Sequence, residues 1–364
     1  MAHDLSTQAA KPDLGWLVAR PIAHRGLHDL AAGIVENSMA AADAAIAHGF
    51  GIECDVQLSA DGEALVFHDF VLDRLTGETG AVADRTAQAL AAVPLKGGGG
   101  TIPTLEAFLG RIAGRVPLVI EIKSRFDGDL RLTRRAAGIV AAHQGQPIVF
   151  KSFDPVIVTA LREIAPTIPR GIVAMLDYSY PDYAHLDAGQ KYALANLLHF
   201  GESRPDFLSW KVADLPSAAP YLCREALGMP VMSWTVRTPE DVKKASAHAD
   251  QMVFEGLIHW ALREMATSGC ASRPRSRRSL PPPGTPAPIH EPCALQRRPR
   301  TTTALGRLAA ILFPRATTTT PSSATNFSRR SRIAAAPAAA AAGPRPISWW
   351  RIQPAGCSPP PPAF

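Results

Sequence analysis

Charged side chains stand where apolar strands would be expected to carry none. In Ile52-Glu53-Cys54-Asp55-Val56 two acids sit at i and i+2, and in Val119-Ile120-Glu121-Ile122-Lys123 the same spacing links Glu121 to Lys123. Alternate residues of a strand share a face, so each segment aims its pair in one direction. Buried acids repel one another and are costly to desolvate unless a cation or a donor meets them. Glu53, Asp55 and Glu121 supply hard oxygen ligands suited to Mg²⁺ or Ca²⁺, and no Cys/His cluster accompanies them to suggest zinc. The competing reading pairs Glu53 or Asp55 with Arg or Lys inside the fold, with no metal present.

Two histidines follow short apolar runs: His24-Arg25-Gly26 after the first, and His68-Asp69 after residues 64–67. Each stands beside a charge, which favours acid/base chemistry over a merely packed imidazole. Arg25 offers a planar, bidentate phosphate donor, and Lys123 a point charge. The set fits metal-assisted phosphoryl chemistry, in which cations neutralise developing charge and imidazoles move protons. A sugar isomerase or aldolase, with the metal and Lys123 acting on a carbonyl, would use the same groups. Spacing alone does not separate the two.

Positioning these residues requires strands that end together. Candidate strands cover 20–24, 50–56, 116–123, 147–152, 170–174, 206–210, 230–236 and 251–254; helix candidates include 37–48, 104–111, 130–143, 155–164, 218–227 and 239–247. Asp154 before Pro155 and Thr238 before Pro239 are helix-start signals. The alternation predicts an α/β protein, a (β/α)8 barrel with its active site at the C-terminal ends of the strands. An open doubly wound sheet is the alternative. Residues 56–103 interrupt the alternation with an extra strand, an Asp61-Gly62 turn and the Gly97 to Gly100 run, and are expected to form an insertion over one mouth of the barrel.

The chain of 364 residues accommodates one such domain with a remainder. Its net charge of +6 is misleading, because residues 271–364 hold 14 Arg, no Lys and a single acid, Glu291, for a net of +13. Residues 1–270 are left at −7, which argues against a nucleic-acid groove on the folded part. The expected layout is a lead-in over 1–19, a catalytic domain over 20–270 and a disordered Arg/Pro/Ala-rich tail over 271–364. That tail also reads as a frame-shifted translation of GC-rich coding sequence, an idea that an intact mass of 38.8 kDa from the native source would end. Five cysteines without paired spacing, no signal-peptide pattern and no apolar run near membrane length predict a soluble, cytoplasmic protein.

In order, His24-Arg25-Gly26, Glu36-Asn37-Ser38, Glu53-x-Asp55-Val56, Asp61-Gly62, His68-Asp69, Leu72-x-Arg74-x-Thr76, Glu121-Ile122-Lys123 and Trp234-Thr235-Val236 resemble the glycerophosphodiester phosphodiesterase family from about residue 21 to about 257. The resemblance implies a TIM barrel with an insertion after its second strand, hydrolysing a glycerophosphodiester to sn-glycerol 3-phosphate and an alcohol. It makes Glu53, Asp55 and Glu121 the ligands of Ca²⁺ or Mg²⁺, His24 and His68 the general acid and base, and Arg25 and Lys123 the phosphate binders. Trp234 becomes an apolar wall for the glycerol or the leaving group. Glu36, Asn37 and Asp69 are supporting residues: Asn37 caps the first helix, Glu36 holds Arg25 or a histidine, and Asp69 fixes the His68 tautomer or turns the chain. Arg74 and Thr76 are expected to be structural. The ending Met252-Val253-Phe254-Glu255-Gly256 departs from the family pattern and predicts a different lip, whereas Ser152-Phe153 keeps it. The alternatives are a phospholipase D-like action on lysophospholipids and a non-catalytic barrel that binds phosphodiesters.

Overall fold

The computed structural model describes residues 12–256. Its strands are β1 (Ile22–Ala23), β2 (Gly51–Leu58), β3 (Ala64–Val66), β4 (Leu118–Ile122), β5 (Ile148–Ser152), β6 (Arg170–Ala174), β7 (Phe207–Lys211), β8 (Val231–Val236) and β9 (Gln251–Phe254). They pair in the order β1-β9-β8-β7-β6-β5-β4-β2, with β1 closing on β2, so eight parallel strands form a closed barrel and β3 adds antiparallel to β2. The α/β barrel expected from the alternation is the fold, and the open-sheet alternative is excluded by the β1–β2 pairing.

Helices follow the strands on the outside: α1 (Met39–Ala47), α2 (Ala87–Ala91), α3 (Leu105–Ile112), α4 (Arg131–Ala141), α5 (Pro155–Ile164), α6 (Ala188–Ala195), α7 (Phe200–Ser203), α8 (Ala218–Glu225) and α9 (Pro239–His248). Oxygen-bearing caps set several starts. Asp154 accepts from Val156 N ahead of Pro155, and Thr238 forms a reciprocal capping box with Asp241. The first helix corrects the sequence reading. Ser38, not Asn37, is its N-cap and accepts from Ala41 N, so the helix begins at Met39.

Strand alternation divides the core in two. Ile52, Cys54 and Val56 point outward and pack with Leu105, Phe108 and Leu109 of α3 between barrel and helices. Inside, the lower layer is apolar, built from Ile22, Val119, Val149, Phe207, Met232 and Val253, and Leu14 and Leu17 of the lead-in pack into it. On β4 a step of two residues, from Val119 to Glu121, carries the interior from this apolar floor to the charged layer above, while on β2 Glu53 already stands in register with Val119. The 56–103 segment has its own core of Leu65, Phe67, Leu72, Val82, Leu90, Leu95 and Ile102, which also takes Val35 from the β1–α1 loop. The expectations for residues 1–11 and for the tail 271–364 lie outside the described residues.

Candidate active site

The charged layer is assembled by strand register. Asp55 on β2 stands beside Glu121 on β4, and Glu121 stands beside Lys151 on β5. Glu53, Asp55 and Glu121 each present an oxygen within 4.8 Å of the others, and all three are buried. The competing in-barrel pairing is present as well. Lys123 Nζ lies 2.8 Å from Asp55 Oδ1 and 2.6 Å from Glu121 Oε1, while Lys151 Nζ lies 2.9 Å from Glu53 Oε1 and 3.1 Å from Glu121 Oε2. Burial alone would raise the Asp55 and Glu121 pKa values; the neighbouring cations outweigh it and hold both below the ordinary carboxylate range. Burial opposes the charge on Lys123 and Lys151 too, and the carboxylates outweigh it in the other direction.

The β1–α1 loop brings Arg25 over this cluster. Its backbone N–H donates to Glu53 Oε2 at 3.1 Å, its Nη1 to Glu36 Oε1 at 2.7 Å, and its Nε lies 3.4 Å from Asp55 Oδ2. The turn that does this runs through positive φ at Arg25 (57°) and Gly26 (78°). A Cβ at position 26 would stand 2.8 Å from that of Ala41, so the loop reaches the cluster only with glycine there. Asn37, freed from capping, donates through Nδ2 to Asp55 Oδ2 at 2.9 Å and accepts from the Asp55 backbone N–H at 3.2 Å. It clamps the position and the orientation of that carboxylate. Glu36 also receives Arg74 at 2.8 Å, and Arg74 in turn reaches Asp69 at 2.6 Å, tying the insertion to the loop. Thr76 is buried and donates to the Leu72 carbonyl.

The two histidines share one arrangement. His24 Nδ1 lies 2.5 Å from Glu255 Oε1, and His68 Nδ1 lies 2.7 Å from Asp69 Oδ1. Glu255 and Asp69 are held well below the usual carboxylate range, against burial, by these imidazoles and by Arg237 and Arg74. A carboxylate has no proton to give, so Nδ1 of each ring carries the hydrogen between them and Nε2 faces away from the carboxylate. His24 Nε2 is 3.7 Å from Glu53 Oε2. Gln57, one step above Asp55 on β2, donates to the His68 carbonyl at 2.9 Å and anchors the second histidine to the same strand.

Trp234 stands at the barrel mouth with its ring 5.5 Å from Phe153, edge to face, and its Nε1 donates to the Ser209 carbonyl at 3.1 Å. Phe153 adjoins Tyr183, which also meets Phe126 and Tyr178, so one side of the mouth is aromatic while the other is ionic. The sequence reading missed Lys151 and the contact of Glu255. Lys151 interrupts the apolar strand Ile148-Val149-Phe150 just as Glu121 interrupts β4, so the same rule applied to β5 would have found it. In the sequence Glu255 marks only a changed lip, and its place beside His24 depends on the barrel closing β9 against β1.

The three carboxylates fit a divalent cation: they are hard, buried and converge from two adjacent strands, the donor set that Mg²⁺ and Ca²⁺ take.

The model of the glycerophosphoryl diester phosphodiesterase family matches residues 24–258. The Bacillus subtilis protein YhdW, assigned by its name to the glycerophosphodiester phosphodiesterases, is 26% identical over 245 residues, 65% of this chain and 92% of its own. A glycerophosphodiester phosphodiesterase of Caldanaerobacter subterraneus subsp. tengcongensis is 40% identical over 111 residues, 28% of this chain and 44% of its own. Among solved structures, an Oleispira antarctica phosphodiesterase in complex with the product sn-glycerol-3-phosphate superposes with a TM-score of 0.55 at 20% identity, over 69% of this chain and 97% of that one. A glycerophosphodiester phosphodiesterase from Parabacteroides distasonis gives 0.54 at 21% identity, over 69% and 98%.

Proposed function

The chain belongs to the glycerophosphoryl diester phosphodiesterase family, and from that premise we propose that it hydrolyses glycerophosphodiesters to sn-glycerol 3-phosphate and an alcohol, with a divalent cation on Glu53, Asp55 and Glu121 and with His24 and His68 as the acid/base pair. The observation that carries the reading is the matched pair of carboxylate-held imidazoles around a buried three-carboxylate cluster. When bound, the cation would polarise the phosphoryl group as a Lewis acid. Arg25 and Lys123, at the rim of the cluster, bind and neutralise the phosphate oxygens. One Nε2, unprotonated, takes a proton from a water as its oxygen bonds to phosphorus; the other ring, protonated on both nitrogens, gives its Nε2 proton to the alcohol oxygen as the P–O bond to that alcohol breaks; the carboxylate on each Nδ1 holds the ring in place. Glu255 and Asp69 act as positioning residues, Arg237 and Arg74 hold those carboxylates in turn, and Glu36 and Asn37 hold Arg25 and Asp55. Trp234 and Phe153 wall the glycerol or head-group side.

A second reading, action on lysophospholipids, is favoured by the aromatic side of the mouth and by the exposed Leu176 and Tyr180 beyond β6. No helix among the described residues is long and apolar enough to cross a membrane. Turnover of soluble diesters in the cytoplasm, by a catalytic domain of residues 20–270 that does not need the tail, belongs to the proposal. The test is a panel of glycerophosphocholine, glycerophosphoethanolamine, glycerophosphoglycerol and lysophosphatidylcholine, run with the full chain and with the chain ending at 270. The proposal expects turnover of the soluble diesters at equal rates by both chains. Hydrolysis of the lysolipid alone would establish the second reading, and release of no alcohol from any substrate would refute both.

A further inference from the structure

Lys151 is a buried cation with no place in the chemistry above. Its side chain is 2% exposed, and its Nζ bridges Glu53 and Glu121 at 2.9 and 3.1 Å. Lys123, on Asp55 and Glu121, and Arg25, on Asp55, approach the cluster from the rim, with side chains 13% and 16% exposed. Lys151 is more enclosed than either, and its ammonium pairs with Glu53. It sits on the strand next to Glu121, in direct register with it, within the barrel wall. Any dication held by Glu53 and Glu121 therefore shares both carboxylates with a fixed ammonium.

We infer that Lys151 is a built-in counter-charge of the cation site, which keeps Glu53 and Glu121 converged when no dication is bound and lowers the affinity with which one is taken up. The inference rests on the reading of the three carboxylates as a cation site. Three buried carboxylates without an internal cation would repel one another and spread, or would not be buried at all. Lys123 supplies that compensation to Asp55 and Glu121, and Lys151 is the ammonium that pairs with Glu53 and shares Glu121; its charge repels an incoming Ca²⁺ or Mg²⁺ across a space of a few ångströms. Occupancy of the site then follows the free dication concentration instead of being permanent.

The experiment is calorimetric titration of Ca²⁺ and Mg²⁺ into chelator-stripped full-length protein, comparing the wild type with Lys151→Met and Lys151→Gln, alongside thermal unfolding with and without calcium. Both variants should bind Ca²⁺ at least about tenfold more tightly, because a like charge has been removed beside the ion. Both should melt below the wild type when stripped and regain most of the difference when calcium is added. Unchanged or weaker binding in the variants, with equal melting of the stripped proteins, would overturn the inference. So would failure of both variants to fold even in millimolar calcium, since the dication should replace the lost ammonium. If the wild type itself bound neither cation, and Glu121→Gln bound none either, the parent reading of the carboxylates would fall instead.

Discussion

Replacing Asn37 separates two roles that its sequence context does not. As a helix cap, Asn37 would tolerate Asp, which caps equally well. As the clamp on Asp55, it would not. Asn37 is buried at φ 57°, donates to Asp55 Oδ2 at 2.9 Å and accepts the Asp55 amide at 3.2 Å. Asn37→Ala leaves a buried N–H and a carboxylate oxygen without these partners, at about 1–3 kcal/mol each. The left-handed backbone costs a non-glycine residue without a compensating side-chain bond about 1 kcal/mol more. The sum, about 3–7 kcal/mol, is a large share of the roughly 5–15 kcal/mol that holds a domain together. Asn37→Gly removes the same hydrogen bonds without the backbone strain, and should be less destabilised than Asn37→Ala by about 1 kcal/mol. Asn37→Asp sets a second carboxylate against Asp55 and should be the worst of the three near pH 7. Urea unfolding followed by tryptophan fluorescence gives all three values. Stability of Asn37→Asp within about 0.5 kcal/mol of the wild type, the scatter of neutral surface changes, would refute the clamp.

His24→Ala and His68→Ala should each lower kcat by about 10²–10⁴ while leaving the melting temperature near that of the wild type; turnover within threefold of the wild type in either variant would remove that ring from the chemistry. Glu255→Gln should lower kcat by about 10² or more with KM little changed, because the amide can present an N–H to His24 Nδ1 and favour the wrong tautomer; a rise in KM alone would make Glu255 a binding residue. Burial with no partner on Nε2 lowers the His199 pKa to about 4, so this ring stays neutral in the folded chain at pH values where the unfolded chain protonates it. The stability it contributes is whole above pH 6.5 and is lost as pH falls towards 4. Glu36 runs in the same direction lower down: burial would raise its pKa, Arg74 and Arg25 outweigh that and bring it to about 2, and its contribution is lost as pH falls from about 4.5 towards 2. Urea midpoints across pH 3–8 should therefore fall on the acid side, and His199→Gln should flatten the upper part of that fall; an unaltered slope in the variant would contradict the assignment.

Much of this was legible because it follows from residue type and a period of two. Charge on an otherwise apolar strand marked Glu53, Asp55 and Glu121, and strand register does bring them to one point. What stayed hidden depends on closure and on loops. The contact of Glu255 with His24 joins residues 231 positions apart, and exists only because β9 lies against β1. The role of Asn37 was misread because Asn-Ser before a helix is a capping signal for either residue, and only the backbone decides that Ser38 takes it. Leu14 and Leu17 gave no periodic signal, yet they close the floor of the barrel.

The claim on which the account stands is a dication held by Glu53, Asp55 and Glu121 beside two imidazoles. The most direct measurement is the release of glycerol 3-phosphate from glycerophosphocholine by the full chain, first stripped with a chelator and then titrated with Mg²⁺ or Ca²⁺. Stripped protein should show no turnover, added cation should restore it to a plateau, and Glu121→Gln should need a higher concentration for half-saturation. Full turnover by stripped protein, indifferent to added cation, would contradict the claim.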